Sequence, residues 1–444
     1  MKRDCFTFKF ITILFLLVMV VSGCSTENQK EGTGNMSENN ANEEKVELTT
    51  AVFGDVAIME GWMKEIAEEI GVELDIQVLP DGEQNEQLYK TKAATQSLPD
   101  ITLYHAGTKF KSDLVPEQNL VDLSKEPWVE KLDESVLSSY MVDGKVYGAP
   151  MGGATGFGGI YNYDLFEDLG LEIPTTHEDL IKVAKKIKEE TDIIPLYISG
   201  ADAWSLQIHG LMAFSTDMAR NRELMSNINS NEETFLDAEY FIQAYETLEK
   251  MKDQGLINSD YLSATYANAQ TAIAEGQAAI YFNAASLSGS LSVAYSDEEL
   301  NKLGYFHYPS DGENVFSANP TYSLGIAVDS KNKKKALEFI NFFMTEEGQQ
   351  IYLDNQAGFA LPALPDMEID TSKYNTFLKR ITEAYEGKEQ YPSFESELIV
   401  NIGDFGPLVQ EMLVGSKTPE AIAEAIQDTL EENAKAADIP AFKD

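Results

Sequence analysis

VELTTAVFGDVAIMEGWMKEIAEEIGVELDIQVLP, residues 46–80, contains one complete strand–helix–strand unit, and its reading sets the fold class. Val46–Phe53 reads as a strand. Met59, Trp62, Met63, Ile66 and Ile70 then recur at helical spacing, with Glu65, Glu68 and Glu69 on the other side and Gly71 as the stop. Trp62 lies on the apolar face of this helix and is assigned to the core. Leu74–Leu79 is the second strand, Glu83–Gln96 a second helix, and Asp100–Tyr104 a third strand after the turn marked by Pro99. Strands alternating with helices predict an α/β architecture.

Further along, Lys145–Pro150 is extended and runs into the glycine-rich MGGATGFGG and a strand around Ile160. Helices are predicted near 178–190, 237–254, 267–276, 333–344 and 418–434; in the second, Phe241, Ala244, Tyr245, Leu248 and Met251 share one face. Nothing inside 46–444 reads as a linker between independent domains, so two lobes would be woven together by several chain crossings.

Upstream of the fold, Lys2, Arg3 and Lys9 precede an apolar run from Phe10 to Val21 that is too short to span a bilayer, which reads as an export signal. Val21-Ser22-Gly23-Cys24 fits the lipobox of bacterial lipoproteins, in which Cys24 takes the lipid and becomes the new N-terminus. Ser25–Lys45 carries Met36 as its one large apolar residue and reads as a solvated tether. Cys5 is lost with the signal, so the folded part offers no thiol for a disulfide, a metal or a nucleophile.

The formal net charge is −41, from 74 acidic and 33 basic residues, and removal of the signal leaves the mature chain near −43. Such a field repels nucleic acid, whose binding depends on neutralised phosphates, and it disfavours contact with anionic lipid. It suits solubility outside the cell, and it also permits a cationic ligand.

No motif for catalysis emerges. The glycines at 152–159 lack the Lys-Ser/Thr of a phosphate loop and miss the dinucleotide spacing, which leaves a tightly approached backbone as the better account. His105, His177, His209 and His307 are scattered without ligand spacing, so no metal or other cofactor is expected. No nucleophile elbow is present. Aromatic residues do stand beside hydrogen-bonding groups: Phe53 with Asp55, Tyr104 with His105, Trp204 with Asp202, Tyr281 with Asn283, Tyr322 with Asn319, and Phe405 with Asp404. A pyranose needs this mixture, a ring for its C–H face and amides or carboxylates for its hydroxyl rim.

SLPDITLY (97–104), DGKVYGAP (143–150), GIYNYDLFEDLGLEIPTTHEDLI (159–181), AIAEGQAAIYFNAAS (272–286), SLGIAVDSKNKKKALEFINFFMTEEGQQIY (323–352) and AGFALPAL (357–364) together resemble the extracellular solute-binding proteins of carbohydrate ABC importers, of the maltose-binding type. The resemblance covers nearly all of 46–444, and the YNYDLF region is its most specific part. It implies a two-lobed periplasmic-binding-protein fold of type II, with about three hinge crossings near 145–150, 303–310 and 360–365. The lobes are expected as 46–148 with 308–362 and 149–307 with 363–444, after a signal at 1–23 and a lipidated tether at 24–45.

The resemblance also implies ligand contacts at Phe53, Asp55, Tyr104 and Thr155 from one side, and at Trp204, Asn283, Asp404 and Phe405 from the other. Glu83, His105, Asp202 and Tyr322 complete the candidate set. Ser286 stands where many relatives have a stacking tryptophan, and Thr155 where maltose-binding members have an acid. The function implied is capture of a sugar, most simply a neutral oligosaccharide, by hinge closure. Delivery is to a membrane permease served by a separate ATPase, from a monomer on the outer face of the cell membrane. A binding protein for a polyamine or other cation, and a surface-anchored glycan hydrolase or lyase, are the alternatives.

Overall fold

The computed structural model describes residues 45–54, 56–80, 82–132, 134–356 and 361–443, without the side chains of Ala57, Ile58, Glu83, Glu134 and Ser135. The signal, Cys24, the tether up to residue 44 and Asp55 therefore lie outside the described residues, as does the side chain of Glu83.

The opening unit folds as its periodicity dictates. Strand β1 (Glu47–Val52) is followed by α1 (Val56–Glu69), β2 (Glu73–Val78), α2 (Glu83–Ala94), β3 (Ile101–Tyr104) and α3 (Gly107–Leu114). The later strands are β4 (Met141–Val142), β5 (Lys145–Val146), β6 (Ala149–Pro150), β7 (Thr155–Asn162), β8 (Ile194–Leu196), β9 (Ala278–Ala284), β10 (Leu303–Phe306), β11 (Val315–Asn319), β12 (Ser323–Ile326) and β13 (Glu389–Pro392). One sheet has the order β2-β1-β3-β12-β6 and a second the order β13-β11-β7-β9-β8, with β10 also on β7. Each sheet carries its own packed helices, which makes the molecule two-lobed and α/β.

In the N-terminal lobe, Trp62 is fully buried, with its ring 4.9 Å from Phe343 and 5.8 Å from Tyr352. Deleting such a side chain costs about 3–5 kcal/mol. In the C-terminal lobe, the YNYDLFEDLG motif is a capped helix. Asn162 Oδ1 accepts the Leu165 N–H at 3.0 Å at the start of Tyr163–Leu169, and Gly170 closes it at φ +57°.

The chain passes between the sheets in the stretches after Pro150, after Asn319 and after Leu364. The second passage corrects the expected crossing at 303–310 and the lobe boundary at 308. β10 pairs with β7 and β11 with β7 and β13, so both stay in the C-terminal sheet, and the chain returns only at Ser323. The crossings lie side by side: the Gly152 N–H donates to Thr321 Oγ1 at 3.0 Å, the Thr321 hydroxyl returns a bond to Gly152 O at 2.7 Å, and the Gly153 N–H donates to Leu361 O at 2.9 Å. This explains the glycine-rich stretch. A Cβ on Gly152 would stand 2.8 Å from Leu361 O, and one on Gly156 2.3 Å from the Tyr385 hydroxyl.

Candidate functional site

β1, β2 and β3 run parallel, so Phe53, the start of α2 and His105 all emerge at one edge of the N-terminal sheet. In α/β sheets the crevice outside these carboxyl ends is where ligands bind. Three rings meet there: Phe53 lies 5.5 Å from His105 and 5.1 Å from Tyr322, and His105 lies 5.4 Å from Tyr322. Phe53 is buried, whereas His105 and Tyr322 keep part of their surface.

The turn after β3 carries the N-terminal lobe to its partner. Gly107, at φ +68°, comes so close to Ser396 that a Cβ would lie 2.9 Å from the Ser396 Cβ. The Thr108 hydroxyl donates to Leu398 O at 2.6 Å and to Ser396 O at 3.3 Å. Lys109 Nζ donates to Glu86 Oε1 at 2.7 Å. Across the junction the carboxylates of Glu395 and Asp404 act on the same ammonium. With its amide nitrogen turned toward them, Gln207 donates to Asp404 at 2.8 Å and to Glu395 at 3.3 Å.

Charge at this junction is finely balanced. Burial works to raise the Glu86 carboxyl, but the Lys109 ion pair outweighs it and holds Glu86 below its usual value. For Lys109, burial pulls down while Glu395, Glu86 and Asp404 together push up, and the acids win. Glu395 is raised to about 7 by burial, with Asp404 and Glu86 adding to the rise and Lys109 opposing it. Burial, with Lys109 adding, lowers His105 to about 3, so its imidazole is neutral at physiological pH.

On the C-terminal side, Trp204 opens the helix Trp204–Arg220, half-buried, with its ring 5.2 Å edge-on to Tyr266. Asp202 holds this corner together by accepting the Tyr266 N–H at 2.6 Å. Asp404 is exposed and accepts the Gly406 N–H at 2.7 Å. Gly406 in turn packs so closely on Ala203 that a Cβ would meet its carbonyl at 2.0 Å. Trp204, Tyr266, Gln207 and Asp404 thus share one corner. Thr155, half-buried, heads β7 and pairs with Asn319, so it belongs to the C-terminal sheet and not, as expected, to the side of Phe53 and Tyr104.

Three candidates are spent inside the protein. Tyr104 is fully buried, its hydroxyl donating to Asp113 Oδ2 at 2.7 Å and its ring 4.7 Å from Tyr89, so it supports the ring cluster from beneath and presents no platform. Phe405 is buried against Phe394 and Phe241 in the C-terminal core. Asn283 is 3% exposed, its amide donating to the Tyr281 hydroxyl and accepting from the Ala284 N–H. Conversely, sequence reading passed over Glu86, Lys109, Gln207, Tyr266 and Glu395. The one local signal was the charged GTKFK directly after a strand end. A surface concavity lined by Lys188, Thr191, Pro195, Asn258 and Asp260 contains none of the candidate residues.

Known proteins share this frame. The chain is 26% identical to the melibiose/raffinose/stachyose-binding protein MelE of Bacillus subtilis over 75% of its own length and 76% of that protein's. It is 23% identical to a multiple sugar-binding protein of Streptococcus mutans over 60% of its length and 63% of that protein's. In three dimensions it is similar to a chitin oligosaccharide binding protein, with a TM-score of 0.75 and 24% identity over 88% of this chain and 99% of that one. The solute-binding protein RafE solved with raffinose gives a TM-score of 0.70 and 20% identity over 87% and 99% of the two chains. The model of the bacterial extracellular solute-binding proteins matches residues 61–376, most of the folded chain across both lobes, and the chain belongs to that family.

Proposed function

We propose that this protein captures a neutral oligosaccharide between its lobes and, closed around it, presents it to the permease of an ABC importer. The observation that carries the reading is the convergence of groups from both lobes on one junction, with Lys109, Glu86 and the rings of His105 and Tyr322 on one side and Glu395, Asp404, Gln207 and Trp204 on the other. A ligand drives closure only by binding the closed arrangement better than the open one, which requires contacts from both lobes. Relatives whose names include melibiose, raffinose and stachyose support a sugar. So does the state of the carboxylates: Glu86 is paired with Lys109, Asp404 accepts two donors, and Glu395 is pushed toward its neutral form. They are engaged within the protein, which disfavours a polyamine.

This reading assigns the chain no reaction of its own; ATP hydrolysis falls to the importer's ATPase. Thermal-shift titration with melibiose, raffinose, stachyose, chitotriose and spermidine tests it. A bound ligand at a hundred times its Kd stabilises by about 2.7 kcal/mol. A rise in Tm with an oligosaccharide and none with spermidine is the expected result; a rise with spermidine alone overturns it, and turnover of any oligosaccharide points to an enzyme. The protein acts as a monomer held on the outer face of the membrane through lipidated Cys24. Cys24→Ala is expected to leave the membrane fraction or remain unprocessed, and unchanged fractionation of this variant would remove the anchor.

A further inference from the structure

Asn85 is fully buried, and both its carboxamide oxygen and its nitrogen lack a hydrogen-bond partner among the described residues. One helical turn on, Tyr89 is equally buried and its hydroxyl is equally unpaired. Leaving a buried polar atom unpaired is costly, so protein interiors rarely do it without cause. Here three such atoms stand on one face of α2, since residues four apart in a helix are neighbours.

Their place is as informative as their number. α2 starts just beyond the C-terminal end of β2, at the sheet edge from which Phe53 and His105 emerge. The Tyr89 ring packs 6.3 Å from Phe53, which itself touches His105 and Tyr322. The residue after Asn85 is Glu86, whose carboxylate holds Lys109 at the lobe junction. The Tyr89 ring therefore packs behind the aromatic wall of the N-terminal lobe, and Asn85 stands one turn before it on the same helix face.

We propose that Asn85, with Tyr89 one turn on, is a specificity-determining group for the ligand, its carboxamide left without a partner among the described residues so that a sugar hydroxyl can take it. The chemistry matches: an amide sets an acceptor and a donor side by side, and a hydroxyl is both donor and acceptor. A site that leaves such groups unpaired in the absence of its ligand rejects analogues lacking the hydroxyl far more strongly than an apolar pocket could. Because both side chains are covered in this arrangement, opening of the lobes or movement of the aromatic wall must precede the contact. This inference rests on the oligosaccharide reading above.

Asn85→Leu, which keeps the branching and the number of side-chain heavy atoms, separates ligand recognition from structure, with Tyr89→Phe, which only deletes the hydroxyl, as a second and milder variant. Affinity for raffinose, stachyose, melibiose and chitotriose is measured by calorimetry, and Tm without sugar by scanning calorimetry. The proposal expects N85L to bind the best of these sugars at least tenfold more weakly while its Tm without sugar stays equal or rises, because an unpaired amide has been removed. Y89F is expected to bind about threefold or more weakly with Tm unchanged or raised. Unchanged affinity in both variants overturns the proposal and leaves the sugar reading intact. A fall in Tm with unchanged affinity overturns it too, and assigns the amide to an internal water. If the unaltered protein binds none of the four sugars, the oligosaccharide reading falls and this inference falls with it.

Discussion

Trp204 and Tyr104 show how far a single residue can be read. Both are aromatic, both stand beside a polar neighbour in the sequence, and the structure gives them opposite duties. Trp204 is half-buried at a helix start facing the junction corner, whereas Tyr104 is sealed beneath the ring cluster with its hydroxyl on Asp113. Trp204→Ala is accordingly expected to weaken sugar binding by about 1–3 kcal/mol with little loss of stability. Tyr104→Phe should lower stability by about 1–3 kcal/mol, because Asp113 Oδ2 loses its buried donor while Oδ1 keeps Ser112 and Lys90. Urea unfolding and calorimetry on the same two variants check both, and a stability loss in W204A without an affinity loss would place Trp204 in the core. Adjacency in sequence could not separate the two, because the side of a strand end that faces the crevice depends on what the other lobe covers. Glu395 is a third residue whose meaning arises only in three dimensions. Its folded pKa of about 7 exceeds the unfolded value, so folding takes up a proton between about pH 4.5 and 7, and its contribution to stability is lost as pH rises through 7. Glu395→Gln removes this proton uptake. The variant should therefore gain stability relative to the unaltered protein on going from pH 5 to pH 8, on the order of 1–3 kcal/mol, in urea titrations at the two pH values.

Elements were legible where one face is wet. The helices His177–Glu190, Glu239–Asp253, Lys333–Phe343 and Pro419–Ala436 each bury one stripe, and their apolar spacing marks them within a few residues. The helix Trp204–Arg220 escaped because every residue from Ser205 to Met218 is buried, Gln207, His209, Ser215, Thr216 and Asp217 among them, so its polar residues do not mark a wet face. The second crossing was misplaced for a related reason: β10, β11 and β12 are short strands in succession, and nothing in their composition says which sheet each joins. The junction turn Gly107–Lys109 was invisible as well, since its partners lie almost three hundred residues downstream at Ser396 and Leu398. That contact makes an element-scale prediction. Thr108→Val removes the one hydroxyl that α3 donates to these two carbonyls, which strand on the C-terminal lobe. It should raise the free energy of lobe closure by about 0.5–1.5 kcal/mol. Affinity for sugar should fall by a few-fold, because the competent arrangement is populated less. Small-angle scattering of the sugar-free protein should show a larger radius of gyration, and an unchanged radius together with unchanged affinity would count against closure through this contact.

At the scale of the whole molecule the decisive quantity is charge, and here composition and site differ. A net charge of −41 invites a cationic ligand, yet the carboxylates gathered at the junction already face Lys109, the Gly406 N–H and the Gln207 amide. Surface carboxylates elsewhere make the potential around the protein more negative, but salt screens them over about 8 Å at physiological ionic strength. A neutral oligosaccharide entering such a site exchanges hydrogen bonds without changing the net charge, so its affinity should hold within about threefold between low salt and roughly 0.5 M salt. A polyamine would behave differently, its attraction to an acidic cleft collapsing as the field is screened. Calorimetric titration of the best-binding sugar at the two salt concentrations decides between them. A weakening of tenfold or more, equivalent to about 1.4 kcal/mol, would mean that the ligand's own charge contributes to binding, and the acidity of the chain would then have to be read as part of its recognition chemistry and not only as a means of staying soluble outside the cell.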